Sequence, residues 1–205
     1  HQSEGLDFSR CRTFNLDEYI GIPAEDEHSY RYYMNHHLFS RVNIDLANTN
    51  VPNGMATDLR AEADHYEQLI RDAGGIDVQL LGIGEAGHIG FNEPLSALMS
   101  RTRDKALTPL TLQQNAGMFG GDPNKVPKRA LTMGVGTILD ARELLLLATG
   151  AAKASILARA VEGPITAMFS ASAMQLHRNC KVIIDEDAAR ELKEREYYDW
   201  IFQNE

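Results

Sequence analysis

Apolar positions in this chain fall into short solid runs separated by stretches with helical spacing. Cys11–Leu16 (CRTFNL) predicts a strand that runs at once into Asp17, Glu18 and Tyr19. Gly21 to Pro23 breaks the chain, and Ser29 then caps a helix with apolar positions at Tyr30, Tyr33, Met34, Leu38 and Val42. A short strand is expected over Val42–Leu46 and a loop over Asn48–Gly54. Met55–Ala73 has helical spacing through Leu59, Tyr66, Leu69 and Ile70, and Gly74-Gly75 ends it. Val78, Leu80 and Leu81 form a buried-strand run emptying into Gly82 and Gly84. Residues 96–122 show no regular period, and Gly120, Gly121 and Pro123 mark a turn. A strand near Ala130–Met133 and a short helix over Thr137–Ala141 follow. Glu143–Thr149 (ELLLLAT) is the most apolar run and reads as a central strand, with a helix after Gly150. Ile165–Leu176 is mixed, Lys181–Asp185 is a last strand, and Asp187–Phe202 is a charged amphipathic helix. Strands alternating with helices predict an α/β fold with a mostly parallel sheet covered by helices on both faces. There is no internal repeat, linker or low-complexity tract, so residues 1–205 read as a single domain.

Composition narrows the function classes. With 205 residues, 43% hydrophobic, the chain can bury a proper core. A formal charge of −9 argues against nucleic acid or an anionic membrane surface as a partner. An anionic substrate would need a local cationic pocket. Cys11 and Cys180, without metal-type spacing, read as reduced thiols of a cytoplasmic protein. No apolar run has membrane-spanning length and no signal peptide is visible.

Candidate chemistry concentrates in Val78–Pro94 (VQLLGIGEAGHIGFNEP), where a strand delivers Glu85, His88, Asn92 and Glu93 within a few residues. One His and one Glu five apart fit a site and a surface loop equally well. Lys153 lies three residues after Gly150, where a helix leaving a strand offers free N–H groups to an anion; a solvated lysine fits the local pattern too. Asp17 at a strand end can serve as a general base or be an ordinary turn acid. His36 and His37, adjacent on a helix, point apart, and His88 and Glu93 lack zinc-site spacing. Gly82-Ile83-Gly84 is too short for a dinucleotide fingerprint, and Ser96 and Ser100 have no nucleophile-elbow context.

Taken together, TFNLDEYIGIP (Thr13–Pro23), LLGIGEAGHIGFNEP (Leu80–Pro94), SRTR (Ser100–Arg103), VPKRALTMGVGTILDA (Val126–Ala141) and GAAKA (Gly150–Ala154) closely resemble the glucosamine-6-phosphate deaminase family. The resemblance covers essentially the whole chain, and it fits better than one to the related 6-phosphogluconolactonases. It implies a Rossmann-like α/β topology and conversion of glucosamine 6-phosphate and water to fructose 6-phosphate and ammonia, in amino-sugar catabolism. By motif, Asp17 is similar to the base that moves a proton between C2 and C1. His88 is similar to the acid/base that opens the ring at O5, and Glu93 to the carboxylate that orients and tunes it. Lys153, with Gly82, Gly84 and Gly87, falls on the substrate-binding side. The resemblance implies no metal and no organic cofactor, a phosphosugar as the small-molecule ligand, and a possible homo-oligomer.

Three departures qualify this. The family's opening strand, Gly/Thr-rich phosphate loop and helix, a piece of about 30 residues or more, does not appear before Thr13, so the domain is expected to be N-terminally incomplete. Ala86 stands where many members have Asp or Asn, and Gly117 where many have an arginine. Phosphosugar capture by residues 1–205 is therefore expected to be weak. The alternative is a non-catalytic sugar-phosphate-binding or assembly module of the same fold. Ser96, Arg103 and Lys105 lie where some members bind an activator.

Overall fold

The computed structural model describes residues 5–204. Its centre is a parallel sheet of β4 (Val78–Leu81), β7 (Glu143–Ala148) and β8 (Cys180–Ile184), with β7 in the middle. The register sets Leu81 beside Leu146, and Leu146 beside Val182. Strand alternation therefore sends Leu81, Leu144, Leu146 and Ala148 to one face. Two helices cover that face. α2 (Leu59–Asp72) contributes Tyr66 and Ile70, and α5 (Ala154–Val161) contributes Ile156, Leu157 and Ala160. Each fully buried large side chain contributes roughly 1.5–3 kcal/mol of transfer free energy. On the opposite face Val78, Leu80, Leu147 and Ile183 are exposed.

Two further sheets complete the α/β architecture. β1 (Thr13–Phe14) lies parallel to β3 (Thr49–Asn50), inside the expected loop. β2 (Asp17–Tyr19) and β5 (Arg103–Ala106) flank β6 (Arg129–Thr132), both antiparallel to it. The CRTFNL strand thus shrinks to two residues, and DEY, read only as a strand end, starts a new strand against Thr132, Leu131 and Ala130. Tyr19 enters a second core, stacked on Tyr30 at 5.3 Å and edge-on to Phe119 at 5.6 Å, with Phe91 and Val126 around it.

Caps explain several boundaries. α1 (Tyr30–His37) starts where Ser29 Oγ accepts from Tyr32 N and stops short of Val42. No strand forms over Val42–Leu46, because Asp45 closes a 3-10 turn by accepting from Ala47 N. Asp58 starts α2 four residues later than expected, accepting from Arg60 N and Ala61 N. Residues 96–122 hold β5 and α3 (Pro109–Asn115), whose cap is Thr108. The short helix expected at Thr137 begins at Val135 as α4 (Val135–Leu139). The single helix expected over Asp187–Phe202 is two, α6 (Glu186–Ala189) and α7 (Arg195–Asn204). The carboxylate of Glu162 accepts from Lys193 N and Glu194 N at the break and starts α7. Among the described residues no helix is long and apolar enough to cross a membrane.

One buried acid ties α2 to β5 and α4. Glu67 accepts from Thr102 N and Oγ1, from Thr137 Oγ1 and from Arg101. Beside it, a Cβ on Gly134 would lie 2.0 Å from the carbonyl oxygen of Ser100, so only glycine fits this crossing.

Candidate active site

β1 and β4 both run toward one end of the molecule. Their continuations, with Asp17 after one and Gly82, Gly84, Glu85 and His88 after the other, open onto a cavity of about 420 Å³ that is also lined by Lys153. The three candidates from distant segments therefore converge. A larger cavity, about 1000 Å³, lies on the other side of Tyr30, where Ile20, Ile22, Met118 and Phe119 alternate with Asp26, His28 and Lys125. The smaller one is where strand ends from separate segments bring a carboxyl, an imidazole and an ammonium together.

Asp17 sits at the start of β2, where its neighbour Glu18 is fully occupied as a structural acid. Glu18 accepts from Tyr19 N, Tyr30 N and Arg31 N and so anchors the first turn of α1. Burial, and then the Glu18 charge, push the Asp17 carboxyl up to about 7. A carboxylate that titrates near neutrality is suited to both taking and returning a proton.

His88 is held by its backbone and by space. Gly84 N donates to His88 O at 2.9 Å, closing the glycine turn over the ring. A Cβ on Gly84 would lie 2.2 Å from Nε2, so the imidazole packs directly on the Gly84 backbone. Nδ1 is buried without a hydrogen bond and faces Glu93 Oε2 at 3.5 Å. Glu93 is itself fixed, accepting from Thr108 N at 3.0 Å and Thr108 Oγ1 at 3.3 Å. Burial lowers the His88 pKa most; Glu93 opposes the fall and Lys153 adds to it.

Lys153 ends the turn Ala151–Lys153 before α5, and its Nζ donates to Ile83 O at 2.9 Å, at the end of β4. The N–H of Gly150 in that turn is already engaged by Asp185. The lysine side chain, more than the turn's backbone, is the group that can meet an anion.

The glycines divide. Gly82 and Gly84 line the cavity, and a Cβ on Gly82 would meet only open space. Gly87 does not line it: at φ +75° it lies against Ile156 and Phe169, where a Cβ would come within 2.7–2.8 Å, so its place is in the packing beneath the loop. Glu93 also stays behind His88 and does not reach the cavity wall. Tyr30, Gln114 and Asn115 line the cavity and were not singled out by the sequence. Tyr30 reads as one more apolar helix position, and the other two fall in the aperiodic 96–122 stretch. Asn115 Nδ2 donates to Tyr19 OH at 2.9 Å, and Gln114 Nε2 to Glu85 at 3.0 Å, closing α3 over the site. Gly117 is exposed just beyond α3. Ser96 is buried and Arg103 donates to Asn92 Oδ1; neither lines the cavity.

A family model described as glucosamine-6-phosphate isomerases/6-phosphogluconolactonase matches residues 1–183. A glucosamine-6-phosphate deaminase of Hahella chejuensis is 51% identical over 200 residues, 98% of this chain and 76% of the relative. One of Shewanella woodyi is 52% identical over 193 residues, 94% of this chain and 73% of the relative. Among solved structures, a monomeric glucosamine-6-phosphate deaminase superposes with a TM-score of 0.90 at 45% identity, covering 93% of this chain and 79% of that one. A 6-phosphogluconolactonase of Thermotoga maritima shares the fold, with a TM-score of 0.67 at 19% identity over 88% of this chain and 75% of that one. With the match running through the Asp17, His88 and Lys153 segments, the chain belongs to the glucosamine-6-phosphate isomerase/6-phosphogluconolactonase family.

Proposed function

We propose that the cavity between Asp17, His88 and Lys153 carries out the isomerising deamination of glucosamine 6-phosphate, yielding fructose 6-phosphate and ammonia. The observation that carries this reading is the meeting, around one 420 Å³ cavity, of a carboxyl titrating near 7, a buried imidazole and a lysine. The reaction is redox-neutral and consists of proton transfers and the addition of water.

His88 serves at the sugar ring oxygen, passing the O5 proton as the pyranose opens; its lowered pKa keeps the ring neutral and able to accept. Asp17 removes the proton from C2 of the open-chain aldose and delivers it to C1. The enolamine formed between these steps becomes an imine at C2. Water adds to that imine, and ammonia leaves as the ketone forms. Glu93 acts through His88, holding positive charge near Nδ1 when the ring is protonated. Lys153 meets the phosphate, and the bare Gly82 wall leaves room for the sugar. This chemistry differs from that of the lactonases that share its fold, because lactone hydrolysis leaves the C2 proton in place and gives Asp17 nothing to transfer.

A phosphosugar substrate fits a cytoplasmic enzyme, and all of these groups come from one chain, so the reading requires no oligomer. The test is ammonium release from glucosamine 6-phosphate, with 6-phosphogluconolactone as the competing substrate. Ammonium formation supports the reading; lactone hydrolysis without ammonium refutes it.

A further inference from the structure

The substrate of the proposed reaction carries an amine at C2. Amines of this kind titrate at about 8, so it enters mostly as an ammonium. Asp17, His88 and Lys153 already have tasks at carbon, at the ring oxygen and at the phosphate. An ammonium paired with Asp17 would favour the charged carboxylate and lower the pKa that burial holds up at about 7. Asp17 would then take the C2 proton less readily. The amine needs an acceptor of its own.

One carboxylate of the cavity wall has no such task. Glu85 is exposed on the loop between Gly84 and His88, and it lines the cavity together with Gln114 and Asn115 of α3. Among the described residues no Lys, Arg or His forms an ion pair with Glu85. Its partner is neutral: Gln114 Nε2 donates to Glu85 Oε2 at 3.0 Å. An ionised carboxylate only accepts, so this bond fixes which way the Gln114 amide faces. Its NH2 group points at Glu85, and no donor among the described residues reaches its Oε1. Asn115 is held elsewhere, with Nδ2 on Tyr19 OH at 2.9 Å. Glu85 and Gln114 thus bring neighbouring oxygens with free lone pairs to the cavity from two separate segments.

We propose that Glu85, with Gln114 Oε1 beside it, binds the C2 ammonium of the substrate and selects an amino sugar over its 2-hydroxy counterpart. The inference deepens the deaminase reading of the cavity and rests on it. An ammonium has three donors and no acceptor, and a carboxylate and an amide oxygen side by side satisfy two of them. A hydroxyl has one donor and leaves the Glu85 charge unmatched, so it gains less from the same pair. Because Glu85 is exposed, water screens the contact, and the discrimination expected is about fivefold. Held by Glu85, the ammonium stays off Asp17, which remains free to move the proton.

The test is chemical-shift titration of the protein with two open-chain phosphates that cannot isomerise. 2-Amino-2-deoxyglucitol 6-phosphate carries the ammonium, and glucitol 6-phosphate has a hydroxyl in its place. The protein is expected to bind the amino compound about fivefold more tightly at low ionic strength. Glu85→Gln keeps an acceptor for Gln114 and removes the charge. It is expected to weaken only the amino compound and to bring the two affinities within about twofold. Unchanged binding of glucitol 6-phosphate shows that the cavity of the variant is intact. A preference that survives in Glu85→Gln, or a parent protein that binds both compounds equally, overturns the inference and leaves ammonium release standing. An equal loss of both compounds in Glu85→Gln also overturns it, because that marks a structural role. Binding of neither compound overturns it together with the phosphosugar reading of the cavity.

Discussion

Replacing Asp17 by Asn is expected to make the protein more stable above pH 8 and far less active, and the two effects have one cause. Burial lifts the Asp17 pKa from 3.8 to about 7. The sign follows from linkage. The folded state favours the protonated acid, so Asp17 carries no electrostatic penalty below pH 3.8. The penalty grows as pH rises and levels off above pH 7. A difference of about three units at 1.36 kcal/mol each gives an upper bound of about 4 kcal/mol above pH 8. At pH 5 the penalty is only about 1.6 kcal/mol by the same relation. The asparagine amide introduces donors of its own, and leaving them unpaired costs about 1–3 kcal/mol. That loss is the same at both pH values and cancels in their difference. Urea unfolding of both proteins at pH 5 and pH 8.5 should therefore show Asp17→Asn gaining about 2.5 kcal/mol more at the higher pH. Turnover should fall by about 10²–10⁴-fold, the usual contribution of a general base. Equal stability differences at both pH values would refute the assignment of a desolvated, near-neutral acid.

Four other perturbations probe separate parts of the site and scaffold. Gly84→Ala puts a Cβ 2.2 Å from His88 Nε2 where van der Waals contact needs about 3.5 Å, so the ring must move by about 1 Å and kcat/KM should fall about 10²-fold. Gly82→Ala meets no protein atom and should leave urea stability unchanged while raising KM; a Gly84→Ala enzyme with parental kinetics would show that the ring position is immaterial. Glu93→Gln keeps a partner for Thr108 but removes the charge that raises the His88 pKa, so the His88 limb of the pH–rate profile should move to lower pH; an unmoved limb would uncouple the pair. Glu67→Ala strands the Thr102 and Thr137 hydroxyls and should destabilise by on the order of 3 kcal/mol in urea unfolding, and a change under 1 kcal/mol would refute the clamp.

Burial on the core face made the central sheet legible. ELLLLAT, KVIID and the run at Val78 are strands because one side of each packs on α2 and α5. β2 and β5 were not legible, since DEY and RDKA are short and charged, and their strand character comes from pairing with β6. In the site, Asp17, His88 and Lys153 stand at strand ends or helix starts, so their motifs mark them. Tyr30 and Asn115 reach the cavity only because α1 and α3 fold back over it, a tertiary fact with no local signal. Gly87 shares a motif with the cavity-lining glycines, yet its neighbours are Ile156 and Phe169, and motif membership alone does not distinguish packing from contact with substrate.

The central claim is that Asp17 carries a proton from C2 to C1 while ammonia leaves. Nuclear magnetic resonance of the reaction in deuterium oxide tests it directly, at saturating glucosamine 6-phosphate. Fructose 6-phosphate and ammonium should form in equal amounts. The new C1 hydrogen should derive from C2 or, after exchange on Asp17, from solvent, and Asp17→Asn should nearly abolish its transfer. Ammonium released while the sugar stays an aldose, or C1 labelling at the parental rate in Asp17→Asn, would contradict the account.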